Sequence, residues 1–103
     1  MRKSKNIDYI IGMARDFING DLDSLSFVLD FNHEFITRSD KMFRENAELT
    51  EAVNFYLYES GFDTVDASYG SNEKQLRRVM KRQYKALAEC MLEEFGLLAV
   101  PLK

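Results

Sequence analysis

The chain has 103 residues, 46% of them hydrophobic and 30% charged, with a net charge of -3. That balance excludes a disordered segment and a membrane-spanning helix, and a chain of this length is expected to form one domain, 1–103, around one core. A single cysteine, Cys90, excludes an intramolecular disulfide framework. The opening Met1-Arg2-Lys3-Ser4-Lys5-Asn6 lacks the apolar stretch of a signal peptide, so the expected location is the cytoplasm.

In chain order, Ile7, Ile10, Ile11, Ala14, Phe17 and Ile18 recur at the three- and four-residue spacing of one helical face. The spacing predicts a helix over about residues 6 to 19, with Asn6 as its N-terminal cap and Gly20 as its left-handed stop. Asp21 and Asp23 offer caps for a second helix, whose apolar positions are Leu25, Val28, Leu29, Phe31, Phe35 and Ile36. Asn32-His33-Glu34 weakens that pattern, so a break is expected there, with His33 capping or packing at it and a further helix running to about Arg44.

Helical periodicity resumes near Asn46, where Leu49, Ala52, Val53, Tyr56 and Leu57 form a core stripe that Gly61 closes. Residues Gly61 to Ser71 hold two Gly, two Asp and two Ser with no sustained period and read as one long loop. Asn72 with Gln75 resembles a capping box. It opens the longest helix, whose stripe is Leu76, Val79, Met80, Tyr84, Leu87, Met91, Leu92 and Phe95, ending at Gly96. The last residues, with Pro101 among them, are expected to fold back over the core without helix. No run alternates as a half-buried strand would, so the expected fold is all-α, a bundle of four to five helices.

Little here suggests chemistry. His33 and Cys90 stand far apart and alone of their kinds, which argues against a metal site, and the glycines stand singly rather than in a phosphate-binding loop. No carboxylate pair is singled out for acid–base work. The expectation is a protein that binds a macromolecule, with no cofactor and no enzymatic activity.

Charge is segregated along the chain. Glu45, Glu48, Glu51, Glu59, Asp63 and Asp66 form a block without Lys or Arg; Lys74, Arg77, Arg78, Lys81, Arg82 and Lys85 form one without acid. If residues 46 to 60 are helical, Glu48, Glu51, Phe55, Tyr58, Glu59 and, near the helix end, Phe62 fall largely away from the core stripe. Carboxylates mixed with aromatics suit a protein interface, with Tyr58 as the expected anchor and Phe55 expected in the core. The rival is a nucleic-acid-binding regulator that sets the basic helix 74–85 against phosphates. The acidic chain as a whole, and the possible pairs Glu73 to Arg77 and Lys85 to Glu89, favour a solvated face there instead.

The run from Ile10 to Phe27, an apolar helix ending Ala14-Arg15-Asp16-Phe17, a short turn and a second helix carrying Phe27, resembles the opening of the bacterial colicin-like self-protective immunity proteins. That family includes the immunity protein of colicin D and proteins encoded beside contact-dependent growth-inhibition toxins. A weaker likeness continues through Phe35, Glu45-Asn46 and Tyr56-Leu57-Tyr58-Glu59-Ser60-Gly61, about two-thirds of the chain in all. The resemblance implies a helical protein that binds the C-terminal nuclease domain of a cognate toxin, one to one, and blocks its active site. Such toxins are often basic, and the residues expected to meet one are Glu45, Glu48, Glu51, Tyr58, Glu59, Asp63 and Asp66, chosen on physical grounds, with the loop from Gly61 to Ser71 adapting to it. No nucleic acid or membrane is expected to bind directly.

Overall fold

The computed structural model describes residues 4–67 and 71–103; residues 68–70, near the end of the loop expected between Gly61 and Ser71, lie outside them. Four α-helices form the bundle: α1 Lys5–Asn19, α2 Ser24–Glu45, α3 Ala47–Val53 and α4 Glu73–Phe95. A π-helical turn, Asn54–Glu59, continues α3, and a short 3₁₀ turn, Phe62–Thr64, follows it. No strand occurs among the described residues.

Helix α1 buries the six apolar residues its spacing predicts, Ile7, Ile10, Ile11, Ala14, Phe17 and Ile18, against α2 and α4. Its ends are closed from far away. Ser4, at the N-cap position, makes no side-chain cap. The free N–H groups of Asn6 and Ile7 donate instead to the Glu45 carboxylate, at 2.9 and 3.0 Å, and the Asn6 side chain donates to it at 2.7 Å. So Asn6 is not the expected cap; a carboxylate 39 residues away is. At the other end Gly20 adopts φ 88°, and the backbone N–H of Asp21 returns to the Asp16 carbonyl, the wrap that stops a helix. There Arg77 of α4 donates to the Phe17 carbonyl and lays its guanidinium 4.2 Å from the centre of the Phe17 ring.

Helix α2 starts at Asp23, whose carboxylate accepts from the Ser26 N–H at 2.8 Å and from its hydroxyl at 3.0 Å. It then runs unbroken for 22 residues, against the expected break at Asn32-His33-Glu34. Tertiary partners override the local weakness there. Phe31 and Phe35 are buried on either side of it and Asn32 accepts from the Tyr58 hydroxyl, while within the helix itself Glu34 pairs with Arg38 one turn on at 2.8 Å. His33 neither caps nor packs; it is exposed. The buried line of α2 is Phe27, Phe31, Phe35 and Met42, while the apolar residues Leu25, Leu29 and Ile36 face solvent.

Aromatic rings form the centre of the core. Phe17 stacks on Phe27 at 4.2 Å, Phe27 meets Phe31 at 4.8 Å, and Phe62 lies against both Phe27 and Phe31. Each fully buried ring contributes roughly 1.5–3 kcal/mol of burial, with about 0.5–1.5 kcal/mol more per well-oriented pair.

Before α4, Asn72 takes the left-handed conformation (φ 58°), which asparagine tolerates, and its side chain donates to the Asp66 carbonyl at 2.5 Å. The expected capping box is therefore absent: no Asn72 side-chain cap forms. Leu76, Met80, Tyr84, Leu87 and Met91 are buried as the spacing predicts, whereas Leu92 is exposed. After Gly96 (φ 64°) the tail folds back without helix, as expected. The Tyr84 hydroxyl donates to the Val100 carbonyl at 2.6 Å, and Lys103 reaches Asn19 and Asp21. No described helix is long and apolar enough to cross a membrane.

Candidate functional site: an acidic stripe around Phe55

The segment from Asn46 to Glu59 builds the site. Asn46 caps α3 by accepting from the Leu49 N–H at 3.0 Å, and Leu49, Thr50, Val53 and Leu57 face the core. The buried Thr50 hydroxyl donates to the Asn46 carbonyl at 2.8 Å. On the opposite side Glu48, Glu51, Phe55 and Glu59 are all exposed, at spacings of three, four and four residues, and form one continuous line.

The π-helical turn decides which residues join that line. The Ser60 N–H bonds back five residues to the Phe55 carbonyl at 2.9 Å. In such a turn each residue advances less around the axis than in an α-helix, so positions late in the turn lag behind their α-helical places. Glu59 comes into line with Glu51 and Phe55, while Tyr58 swings inward. Its ring packs 5.3 Å from Phe35, 5.6 Å from Phe62 and 6.3 Å from Phe31. Burial, and secondarily the nearby Asp63 charge, raises the Tyr58 pKa above its ordinary value. The expected positions of the two aromatics are thus exchanged: Phe55 is 52% exposed, and Tyr58, partly buried, packs against the core.

Of the expected contact residues, the structure brings Glu48, Glu51 and Glu59 together around Phe55. No Lys or Arg among the described residues is paired with any of them; Glu59 accepts from the Asn54 side chain at 2.6 Å. Glu45 is not part of this surface, since its carboxylate caps α1. Partial burial works to raise its pKa, but the hydrogen bonds from Asn6 and Ile7 and the Arg38 charge outweigh it and leave the pKa below the ordinary carboxylate value. Asp63 is exposed on the 3₁₀ turn and Asp66 after it, both outside the helical line.

Sequence reasoning missed a second acidic element. Tyr56 meets the edge of the Phe55 ring at 5.0 Å and lines a groove of about 400 Å³ with Glu89, Cys90, Glu93 and Glu94 of α4. The last turn of α4 carries Glu93 and Glu94 and no base, opposite to what the helix macrodipole prefers, at a cost of a few tenths of a kcal/mol each. The four-residue spacing of Glu89 and Glu93 was visible in the sequence; that Tyr56 would face them was not.

The basic block is divided too. Arg77 is held by Phe17 and Glu73, while Lys74, Arg78, Lys81, Arg82 and Lys85 are exposed without an acidic partner among the described residues. Among those residues no group of three or more His, Cys, Asp or Glu side chains is placed to hold a metal ion. Comparison with family models, with curated proteins and with solved structures returns no match for this chain.

Proposed function

We propose that this protein is a cytoplasmic immunity protein that binds the C-terminal nuclease domain of a cognate bacterial toxin and blocks its active site, without chemistry of its own. The observation that carries the proposal is the line Glu48, Glu51, Phe55 and Glu59, three exposed carboxylates around a half-exposed ring. A nuclease site is lined with cations that grip phosphates. A carboxylate line can occupy such cations, with charge steering the encounter and a desolvated aromatic anchoring the complex. The acids Glu89, Glu93 and Glu94 widen the acidic surface beyond the groove at Tyr56, Glu93 and Glu94 in the last turn of α4 where the macrodipole disfavours them. The resemblance of residues 10 to 27 to the colicin-like immunity family supports the same partner class.

The test begins with the neighbouring gene: a large secreted protein with a variable C-terminal domain, whose isolated domain is toxic when expressed. Co-expression with this chain should restore growth and yield a one-to-one complex. The triple variant E48K/E51K/E59K should lose protection while remaining folded. Protection that survives the triple variant would sink the acidic-stripe reading.

Five exposed cations of α4, with no acidic partner among the described residues, favour a second reading, a nucleic-acid-binding regulator. It demands the opposite result. Neutralising Arg78, Lys81 and Arg82 should abolish a salt-dependent affinity for nucleic acid, and the acidic triple variant should leave that affinity intact.

A further inference from the structure

Helix α4 carries both signs of charge on one exposed face. Successive residues of a helix turn by about 100°, which places Arg78, Arg82, Glu89 and Glu93 within about 60° of arc, roughly opposite the buried line Leu76, Met80, Leu87 and Met91. All four are exposed, and none is in an ion pair among the described residues. The two cations come first and the two acids last, with the small, half-buried Ala86 between them. This order disfavours a partner of one sign along the whole face. A polyanion that meets Arg78 and Arg82 runs on into Glu89 and Glu93, and a basic surface meets the reverse. A matching partner presents acids, a small residue and then cations, at the same spacing. Helix α4 turned end for end has that order, since Arg78 and Arg82 are four residues apart, as are Glu89 and Glu93.

We infer that this face of α4 is a self-association surface, on which the α4 of a second copy packs antiparallel about a two-fold axis between Lys85 and Ala86. Arg78 then lies across from Glu93 of the other copy and Arg82 across from Glu89, each pair occurring twice. The sideways positions agree with the register. Arg78 and Glu93 lie about 30° to opposite sides of the centre of the face, and Arg82 and Glu89 about 10°, offsets that a two-fold axis brings together. Arginine and carboxylate suit each other through paired N–H donors, and the antiparallel arrangement opposes the two macrodipoles. Ala86 faces Lys85 of the other copy and lets the helices approach, while the two Lys85 side chains leave on opposite sides of the axis. Lys81 and Lys85 stand on the side of α4 away from Tyr56. The two-fold axis turns that side toward the groove at Tyr56 of the other copy, whose lining includes Glu93 and Glu94.

Exposed ion pairs are individually weak and screened by salt, and two helices bury less than the ~1,600 Å² of a standard interface, so the dimer is weak and salt-sensitive. The second copy covers the groove at Tyr56. That a toxin domain seated there displaces it rests on the function proposed above; the dimer itself does not.

Sedimentation equilibrium of the full chain at low ionic strength tests the inference without a toxin. A monomer–dimer equilibrium is expected, shifting toward monomer as salt is raised. R78E/R82E makes the face all acid and E89R/E93R makes it all basic. Each variant alone should be monomeric where wild type dimerises, with circular dichroism like wild type because the exchanged side chains face solvent. Mixed, the two variants restore every pair and should form a one-to-one heterodimer, and R78E/R82E/E89R/E93R in one chain should recover the homodimer. A wild-type chain that stays monomeric at low salt overturns the inference. So does a dimer that survives either double variant, which places the contact elsewhere, and so does a mixture of the two that stays monomeric. A monomeric chain that binds duplex nucleic acid through Arg78 and Arg82 also overturns it, by giving the face to phosphates.

Discussion

The acidic block from Glu45 to Asp66 and the basic block from Lys74 to Lys85 each lend one residue to helix α1 and leave most of the others in solvent. Glu45 closes the N-terminus of α1, where backbone N–H groups and the positive end of the macrodipole favour a carboxylate. Arg77 closes the C-terminus, where the Phe17 carbonyl and the negative end favour a cation. In both blocks residues of one type and neighbouring number do different work. Glu45 is fixed by three donor groups, whereas Glu48, one turn beyond, touches nothing charged among the described residues. A charge block in a sequence is therefore a mixture, and only the members left unpaired are available to a partner.

The comparison breaks first at Glu45. E45A leaves two N–H groups of α1 without their acceptor and should lower stability by about 2 kcal/mol, or about 10 °C in melting temperature. E48A, by contrast, should change stability by less than about 0.5 kcal/mol. If the two variants melt alike, Glu45 is not a structural cap. The basic block should divide in the same way and more mildly. R77A loses the Phe17 contacts and should be destabilised by about 1 kcal/mol, with R78A and R82A near neutral by thermal or urea unfolding.

The aromatic pair sharpens the division between structure and surface. Y58F removes the hydroxyl that donates to Asn32 and should cost about 1 kcal/mol in stability while leaving toxin protection intact. F55A should do the reverse, melting close to wild type while weakening the complex by isothermal titration. A loss of affinity in Y58F without one in F55A would put the anchor back on Tyr58.

The smallest effect is a dependence on pH. The folded-state pKa of Glu45 lies below its unfolded value, so its contribution is full above the ordinary carboxylate range and disappears as pH falls through the folded-state pKa. Urea unfolding should show wild type and E45Q furthest apart near neutrality and converging in acid. A gap that widens on acidification would contradict the sign of the shift.

Much of the fold was legible because helical periodicity is a local signal. All six buried residues of α1, both glycine stops and five core residues of α4 follow from spacing and backbone chemistry alone. The unbroken α2 was not legible. A weak stretch at Asn32-His33-Glu34 breaks or continues according to what packs beside it, and the hydroxyl that Asn32 receives comes from Tyr58, 26 residues on. The stripe was legible in part. Glu48, Glu51 and Glu59 were expected on an outward face, but the exchange of Phe55 for Tyr58 depends on the π-helical turn, for which the sequence carries no spacing signal.

By itself, then, the sequence determined an all-α chain with segregated charge and the inner faces of its first and last helices. Tertiary structure decided which charges are bound, which aromatic faces out, and that Leu25, Leu29 and Ile36 of α2 stay exposed. The division is physical. Apolar spacing acts within a few turns of one helix, whereas a cap such as Glu45 on α1 or a ring contact such as Arg77 on Phe17 exists only after elements 39 or 60 residues apart have been brought together.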